Sequence, residues 1–288
     1  MRLPRLGVRC RTLAVTVLLF PAIAFAAGYA GMHYETGPVA LLDLETPAGE
    51  GPFRVVVAVH GGGWSAGTRA DAAAFCREMV KIGLACASID YRTAPATRFP
   101  GQIEDVEAAI RFLTTNAAKF RLVTSGVVLA GESAGGQIVA WLGAQHPAGV
   151  PIRAVIAFST PTDLAALGEP VRALGVVPPE IHDLLGVSGW GERDVAEMRL
   201  ASPVFAIRAD GPPFLLVHGR ADRLVPAVQS ENFCGAIRNS GGHCETILIP
   251  GARHGLWSED QFDKWRNAWL PAVTEWLDKR QDTKRQSR

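Results

Sequence analysis

The sequence predicts an α/β fold with a mostly parallel central sheet and helices on both of its faces. Three observations carry this expectation. Apolar, β-branched runs at 53–59, 84–89, 127–130, 154–158 and 213–217 have the composition of strands buried on both sides. Stretches with helical spacing of apolar residues separate them, at 69–82, 103–113 and 134–144. Finally, a Ser and an Asp follow two of these runs and a His follows a further strand-like stretch at 245–249, in that order along the chain.

The chain opens on a segment that the fold does not need. Arg2, Arg5, Arg9 and Arg11 precede an apolar stretch at 13–23, and Ala24-Phe25-Ala26-Ala27 follows. A basic region, a short apolar core and small residues at its end read as a secretory signal peptide, cleaved after Ala26 or Ala27. The core is short for a membrane span and Pro21 interrupts its end, so no stable membrane insertion is expected after cleavage; an uncleaved anchor is the alternative. Cys10 precedes the apolar core, so it is not placed like a lipid-modified cysteine. The organisation is therefore a signal peptide at 1–26, one α/β domain at 27–280 carrying an insertion at 161–202, and a disordered charged tail at 281–288. The expected location is periplasmic or secreted.

Composition fits one large domain. The 288 residues are 48% hydrophobic, enough for a sizeable core, and a net charge of +1 gives no electrostatic case for nucleic acid. Oligomeric state is not readable. Cys76, Cys86, Cys234 and Cys244 remain after the leader. In an oxidising compartment they allow three pairings. Cys76–Cys86 and Cys234–Cys244 would each join a helix to the next strand; four buried thiols are the equal alternative.

In order, 27–50 reads as a polar approach with an edge strand or hairpin at 39–44, and 53–59 as the first buried strand. That strand runs into His60-Gly61-Gly62-Gly63-Trp64, where glycines let backbone N–H groups turn inward toward an anion. A flexible turn is the plain alternative. After the helix at 69–82, Gly83 sits where a C-cap glycine belongs. Asp90, Arg92 and Asp105 could form a buried pairing that props the glycine loop, or could be a helix cap and surface charges. The run 127–130 then enters Gly131-Glu132-Ser133-Ala134-Gly135, and a small-residue helix leaves it. This is the pattern of a nucleophile elbow, a Ser held on a tight strand-to-helix turn. The competing reading is a Gly-rich turn with an ordinary Ser.

The pattern breaks at 161–202, where Pro170, Pro178, Pro179 and several glycines interrupt short helical pieces. Leu164, Leu167, Leu174, Val176, Leu184, Leu185 and Trp190 could line an acyl pocket or could seat the insertion on the core. The strand at 213–217 ends in His218-Gly219-Arg220-Ala221-Asp222, which puts Asp222 on a loop at a strand's C-terminal edge. A helix reaches Asn239, a strand at 245–249 leads into Gly251-Ala252-Arg253-His254-Gly255, and 261–279 closes the chain as a helix.

These parts suit acyl transfer. A Ser hydroxyl needs a base to take its proton, a His can take it near neutral pH, and an Asp fixes the imidazole. Ser133, Asp222 and His254 are the candidates, with the N–H groups of Gly62, Gly63 and Ala134 as the oxyanion hole. Glu132 is expected to support the elbow through local hydrogen bonds, and His218 to pack or hydrogen-bond near Asp222. His60 is expected to be structural. No His pair has metal-ligand spacing.

Together the motifs at 60–64, 90–92, 131–136, 218–222 and 251–255 resemble an α/β-hydrolase serine esterase. The resemblance is to the hormone-sensitive-lipase-like and BD-FAE (feruloyl/acetyl-xylan-esterase-like) branches, and covers about 53–270. The His-Gly-Gly-Gly-Trp form leans toward BD-FAE, and Tyr91-Arg92-Thr93-Ala94-Pro95 departs mildly from Y-R-L-A-P. It implies the α/β-hydrolase fold and hydrolysis of a small ester, short acyl or aryl, without metal or organic cofactor. Acetyl or feruloyl groups on polysaccharide are one candidate class. An amidase or arylformamidase is the alternative activity. A non-catalytic ligand-binding homologue is another, against which the presence of His254 speaks.

Overall fold

Runs of residues buried on both faces build the sheet. In this computed structural model, which describes residues 27–280 except 36, 38 and 124, eight strands form one sheet among the described residues. They are β1 (Ala27–His33), β2 (Leu41–Thr46), β3 (Val55–Val59), β4 (Ala85–Ile89), β5 (Val127–Glu132), β6 (Ile152–Phe158), β7 (Phe214–Gly219) and β8 (Cys244–Ile249). The order across the sheet is β1-β2-β4-β3-β5-β6-β7-β8. β1 and β2 make an antiparallel hairpin at one edge, β2 runs antiparallel to β4, and every other pair is parallel. The hairpin spans more than the expected 39–44, because β1 also joins it. The expected signal peptide and charged tail lie outside the described residues, apart from Ala27, where β1 begins.

Alternation along each strand divides the core in two. Val55, Val57 and Val59 face one side; Val56 and Ala58 face the other. On the first side lie α2 (Gly101–Thr115), the short α3 (Ala117–Phe120), α4 (Ala134–Gln145) and α8 (Val228–Asn239), through Val106, Ile110, Ile138, Leu142 and Phe233. On the second lie α1 (Ala73–Lys81) and α9 (Glu259–Lys279), through Phe75, Met79, Phe262, Trp269 and Trp276. Trp269 is fully buried and meets Phe75, Phe158 and Phe262 with ring centroids 6.1, 5.1 and 5.8 Å away. Burying such a ring contributes on the order of 3 kcal/mol.

Between β6 and β7 the chain leaves the sheet for α5 (Leu164–Arg172), α6 (Pro179–Leu185) and α7 (Glu192–Leu200). Side chains of the α/β body anchor this stretch. The Gln229 side chain accepts the N–H groups of Thr162 and Asp163, Gln137 donates to the Ala201 carbonyl, and Trp141 donates to the Leu200 carbonyl. Leu164 and Leu184 are fully buried in the core, whereas Leu174 is 76% exposed.

Cys76 and Cys86 form a disulfide tying α1 to β4, and Cys234 and Cys244 form one tying α8 to β8. Each closes a short loop, with a sequence separation of 10. A loop of that length restricts the unfolded chain by about 3 kcal/mol. Urea unfolding of a Cys76→Ala/Cys86→Ala double variant is expected to show a loss of that size. An unchanged midpoint would mean that the crosslink does not stabilise the fold.

Candidate active site

The parallel strands bring four loops to one edge of the sheet: those after β3, β5, β7 and β8. The strand order reverses between β3 and β5, which is where crevices form in open α/β sheets. Ser133 sits there, between β5 and α4, with φ 52° and ψ −117°. That backbone is strained for any residue with a side chain. Hydrogen bonds hold it: Ser133 N–H donates to the Phe158 carbonyl at 2.9 Å, and the Ser133 carbonyl accepts Gln137 N–H at 2.9 Å. The flanking glycines are required by contact. A Cβ at Gly131 would lie 2.3 Å from the Gly135 carbonyl oxygen, and one at Gly135 would lie 2.2 Å from that of Val59.

The loop after β8 delivers His254. Its Nε2 lies 2.9 Å from Ser133 Oγ, and its Nδ1 lies 2.7 Å from Asp222 Oδ2. The carboxylate can only accept, so Nδ1 carries the proton and Nε2 is free to accept from the Ser hydroxyl. Three residues expected to cooperate, 121 and 32 positions apart along the chain, thus form one hydrogen-bonded line.

Asp222 is fixed from both sides. Its Oδ1 accepts the N–H groups of Leu224 and Val225 at 3.0 and 2.9 Å. Its Oδ2 also lies 3.3 Å from His218 Nε2. Burial opposes the charge on Asp222, but hydrogen bonds from His218 and His254 outweigh it, and the carboxyl stays ionised well below the usual carboxylate range. His218 is held in turn: Nε2–H donates to the Val225 carbonyl at 2.8 Å, and Nδ1 accepts from Ser230 Oγ at 2.7 Å. The expectation of a hydrogen-bonding role near Asp222 thus gains named partners.

The glycine loop lies against the elbow: a Cβ at Gly61 would be 3.3 Å from Ser133 Cβ. Gly62 and Gly63 line the same cleft as Ser133 and His254, and Ala134 begins α4 directly after the Ser. Among the described residues no acceptor takes the N–H of Gly62, Gly63 or Ala134. The scaffold behind this loop was not legible in the motif. The ring of Tyr91 stacks on His60 at 4.3 Å, and its hydroxyl donates to the His60 carbonyl. Trp64 Nε1 donates to Gln137 Oε1 at 2.9 Å, which ties the loop to α4. His60 is 1% exposed, and burial lowers its pKa, in keeping with a structural, neutral ring.

Of the pairing weighed for Asp90, Arg92 and Asp105 only the Arg92–Asp105 part forms, and the expectation for Glu132 needs correction. Asp90 does not pair with Arg92. Arg92 binds Asp105 through its backbone N–H and guanidinium, whereas Asp90 takes the backbone and guanidinium of Arg69, which also reaches Asp43. Glu132 does not bond locally; both its oxygens accept Trp257 N–H, 125 residues away.

The cleft at Ser133 has a volume of about 920 Å³. One end holds the glycine loop, Ser133 and His254. The other runs between α1 and α9, past Arg77, Lys81, Asp263 and Arg266. The insertion reaches the glycine loop, where a Cβ at Gly63 would lie 3.1 Å from Glu180 Cγ, and of the two roles weighed for its apolar side chains, the fully buried Leu164 and Leu184 seat it on the core. Among the described residues no cluster of three His, Cys, Asp or Glu could hold a metal, and no helix is long and apolar enough to cross a membrane.

Comparison with known proteins gives a consistent relationship. The BD-FAE family profile matches residues 42–237. Esterase LipC of Mycobacterium tuberculosis is 32% identical over 240 residues, covering 77% of this chain and 58% of that protein. Isoprenylcysteine alpha-carbonyl methylesterase ICME of Arabidopsis thaliana is 26% identical, covering 77% and 55%. The chain spans between about half and three-fifths of the length of these curated relatives. A truncated carbohydrate esterase from gut microbiota superposes with a TM-score of 0.75 at 24% identity, covering 90% of this chain and 98% of that one. Esterase B from Lactobacillus rhamnosis gives 0.74 at 22%, covering 92% and 90%. These two likenesses establish the α/β-hydrolase fold.

Proposed function

The chain belongs to the BD-FAE family, and from that premise we propose that it is a serine hydrolase that cleaves carboxylic esters through an acyl-enzyme intermediate. The observation that carries the proposal is the line Asp222–His254–Ser133, with hydrogen bonds of 2.7 and 2.9 Å. Ser133 Oγ attacks the ester carbonyl carbon while its proton passes to His254 Nε2. The carbonyl electron pair moves onto oxygen, where the N–H groups of Gly62, Gly63 and Ala134 receive it. One such donor is worth on the order of 3 kcal/mol. The C–O bond then breaks, and His254 returns the proton to the departing alkoxide. Water, deprotonated by the same His254, releases the acid and restores Ser133. Asp222 keeps Nδ1 protonated throughout and stabilises the transient imidazolium. No step calls for a metal or organic cofactor.

The relatives' names support the ester class: LipC is an esterase and ICME a methylesterase. The proposed substrates are short acyl or aryl esters. The charged walls between α1 and α9 suit a polar alcohol portion, for which acetyl or feruloyl esters of polysaccharide are candidates. We place the protein outside the cytoplasm. The basic and apolar leader supports this, as do two disulfides, which persist in oxidising compartments. Mass spectrometry of the exported protein is expected to find Ala27 or Gly28 at its N-terminus.

The test is hydrolysis of p-nitrophenyl esters from acetate to decanoate, with methyl ferulate and methyl benzoate alongside. Activity highest on the short or aromatic esters is expected. Folded protein that hydrolyses none of them would overturn the ester reading, and aryl and formyl amides would then be tried.

A further inference from the structure

We propose that Glu132 is a positioning residue: its buried carboxylate clamps the loop carrying His254 against the turn carrying Ser133, and adds a second negative charge that acts on the imidazole. The inference rests on the esterase reading above and deepens it.

Glu132 ends β5, one residue before the nucleophile. Both its oxygens accept the backbone N–H of Trp257, at 2.9 and 3.0 Å, three residues beyond His254. The Trp257 ring is itself held between Phe75 and Phe158, with centroids 4.3 and 5.3 Å away. The carboxylate therefore joins two loops whose spacing sets the Ser133–His254 bond. Glu132 is 7% exposed, and among the described residues no lysine or arginine pairs with it. The ionisable groups that act on it are His254, which favours its charge, and Asp222, which opposes it.

Such a group is costly to keep. Burial pushes its pKa up from the ordinary 4.5 to about 7, although the Trp257 N–H bond and His254 work the other way. Between those two values the folded protein holds a proton that the unfolded chain has lost. Stability therefore falls as pH rises from about 4.5 through about 7, and above that the ion is a standing burden. A carboxylate serving packing alone would gain from becoming an amide. Its use lies in the reaction. Above about pH 7, where Glu132 is ionised, the imidazolium that forms when His254 takes the Ser133 proton is stabilised by two anions, Glu132 and Asp222.

The test compares Glu132→Gln, which keeps the shape and one acceptor for Trp257, with the unaltered protein. At pH 8, kcat is expected to fall about tenfold or more, as loss of a nearby charge would give, with KM for the same ester little changed. The acid limb of kcat/KM is expected to move to lower pH, and Tm at pH 8 to stay level or rise. Unchanged kcat with an unmoved limb overturns the proposal. If Glu132→Gln fails to fold, Glu132→Asp is read instead: it keeps the charge but draws it back by one methylene from Trp257 N–H, so a lowered kcat is expected, and wild-type kcat overturns the clamp. The rate of Ser133 labelling by a fluorophosphonate is measured alongside. Unaltered protein that labels but hydrolyses no ester sinks the ester reading alone, and the labelling rate of Glu132→Gln then decides the role of Glu132.

Discussion

Ser133→Ala is expected to lower kcat for every ester the protein hydrolyses by about 10⁵-fold or more, since among the described residues Ser133 Oγ is the hydroxyl bonded to His254 Nε2. The variant should fold as the parent does. The bonds that hold the elbow, from Ser133 N–H to Phe158 and from Gln137 N–H to Ser133, are backbone bonds that alanine keeps. Circular dichroism and Tm would check the fold, and p-nitrophenyl acetate turnover the chemistry. A folded variant with a tenth of the parent rate would show that the nucleophile lies elsewhere.

Asp222→Asn is expected to cost about 10³- to 10⁴-fold in kcat, through geometry that otherwise survives. The amide oxygen can take the place of Oδ1 and still accept Leu224 and Val225. The amide nitrogen then falls where Oδ2 stood, facing His254 Nδ1 and His218 Nε2. A donor meeting a donor turns the His254 tautomer around, so that Nε2 carries the proton and cannot accept from Ser133. Raising the pH should not restore activity, because the fault is in the tautomer. Full recovery at pH 9 would count against this account. Asp222 also has a signature in stability. Its folded-state pKa is depressed, so its contribution is present above about pH 4 and is lost only as pH falls into strong acid.

Much of this was legible in the chain. β3, β5, β6 and β7 are runs whose residues are almost all buried, and burial on both faces leaves a continuous apolar signature. The Ser and Asp stood out because each follows such a run, and the His because it follows the strand-like stretch of β8, which is only partly buried. β1 did not, since Ala27–His33 contains no β-branched residue and its place depends on tertiary partners: β2, and a ring contact between Tyr29 and Phe120. The partner of Glu132 lies 125 residues away, beyond any local pattern. Asp90 and Arg92 are two residues apart on an irregular connection, and which cation Asp90 takes is decided by Arg69, brought in by the turn before α1. In the insertion, Leu164 and Leu174 are the same residue type, yet one is in the core and the other in solvent. Helical spacing cannot assign faces where prolines and glycines keep resetting the phase.

The division of labour across the sheet has a consequence for how the protein assembles. The nucleophile and its glycine loop belong to β3 and β5, while the acid and base arrive on β7 and β8, the last two strands. Ser133 and the base that activates it are thus 121 residues apart along the chain, on strands that need not pair at the same moment. Ser133 is expected to become reactive only once β8 has paired with β7 and its loop has set His254 in place. Appearance of fluorophosphonate reactivity during refolding would then report the docking of the C-terminal quarter.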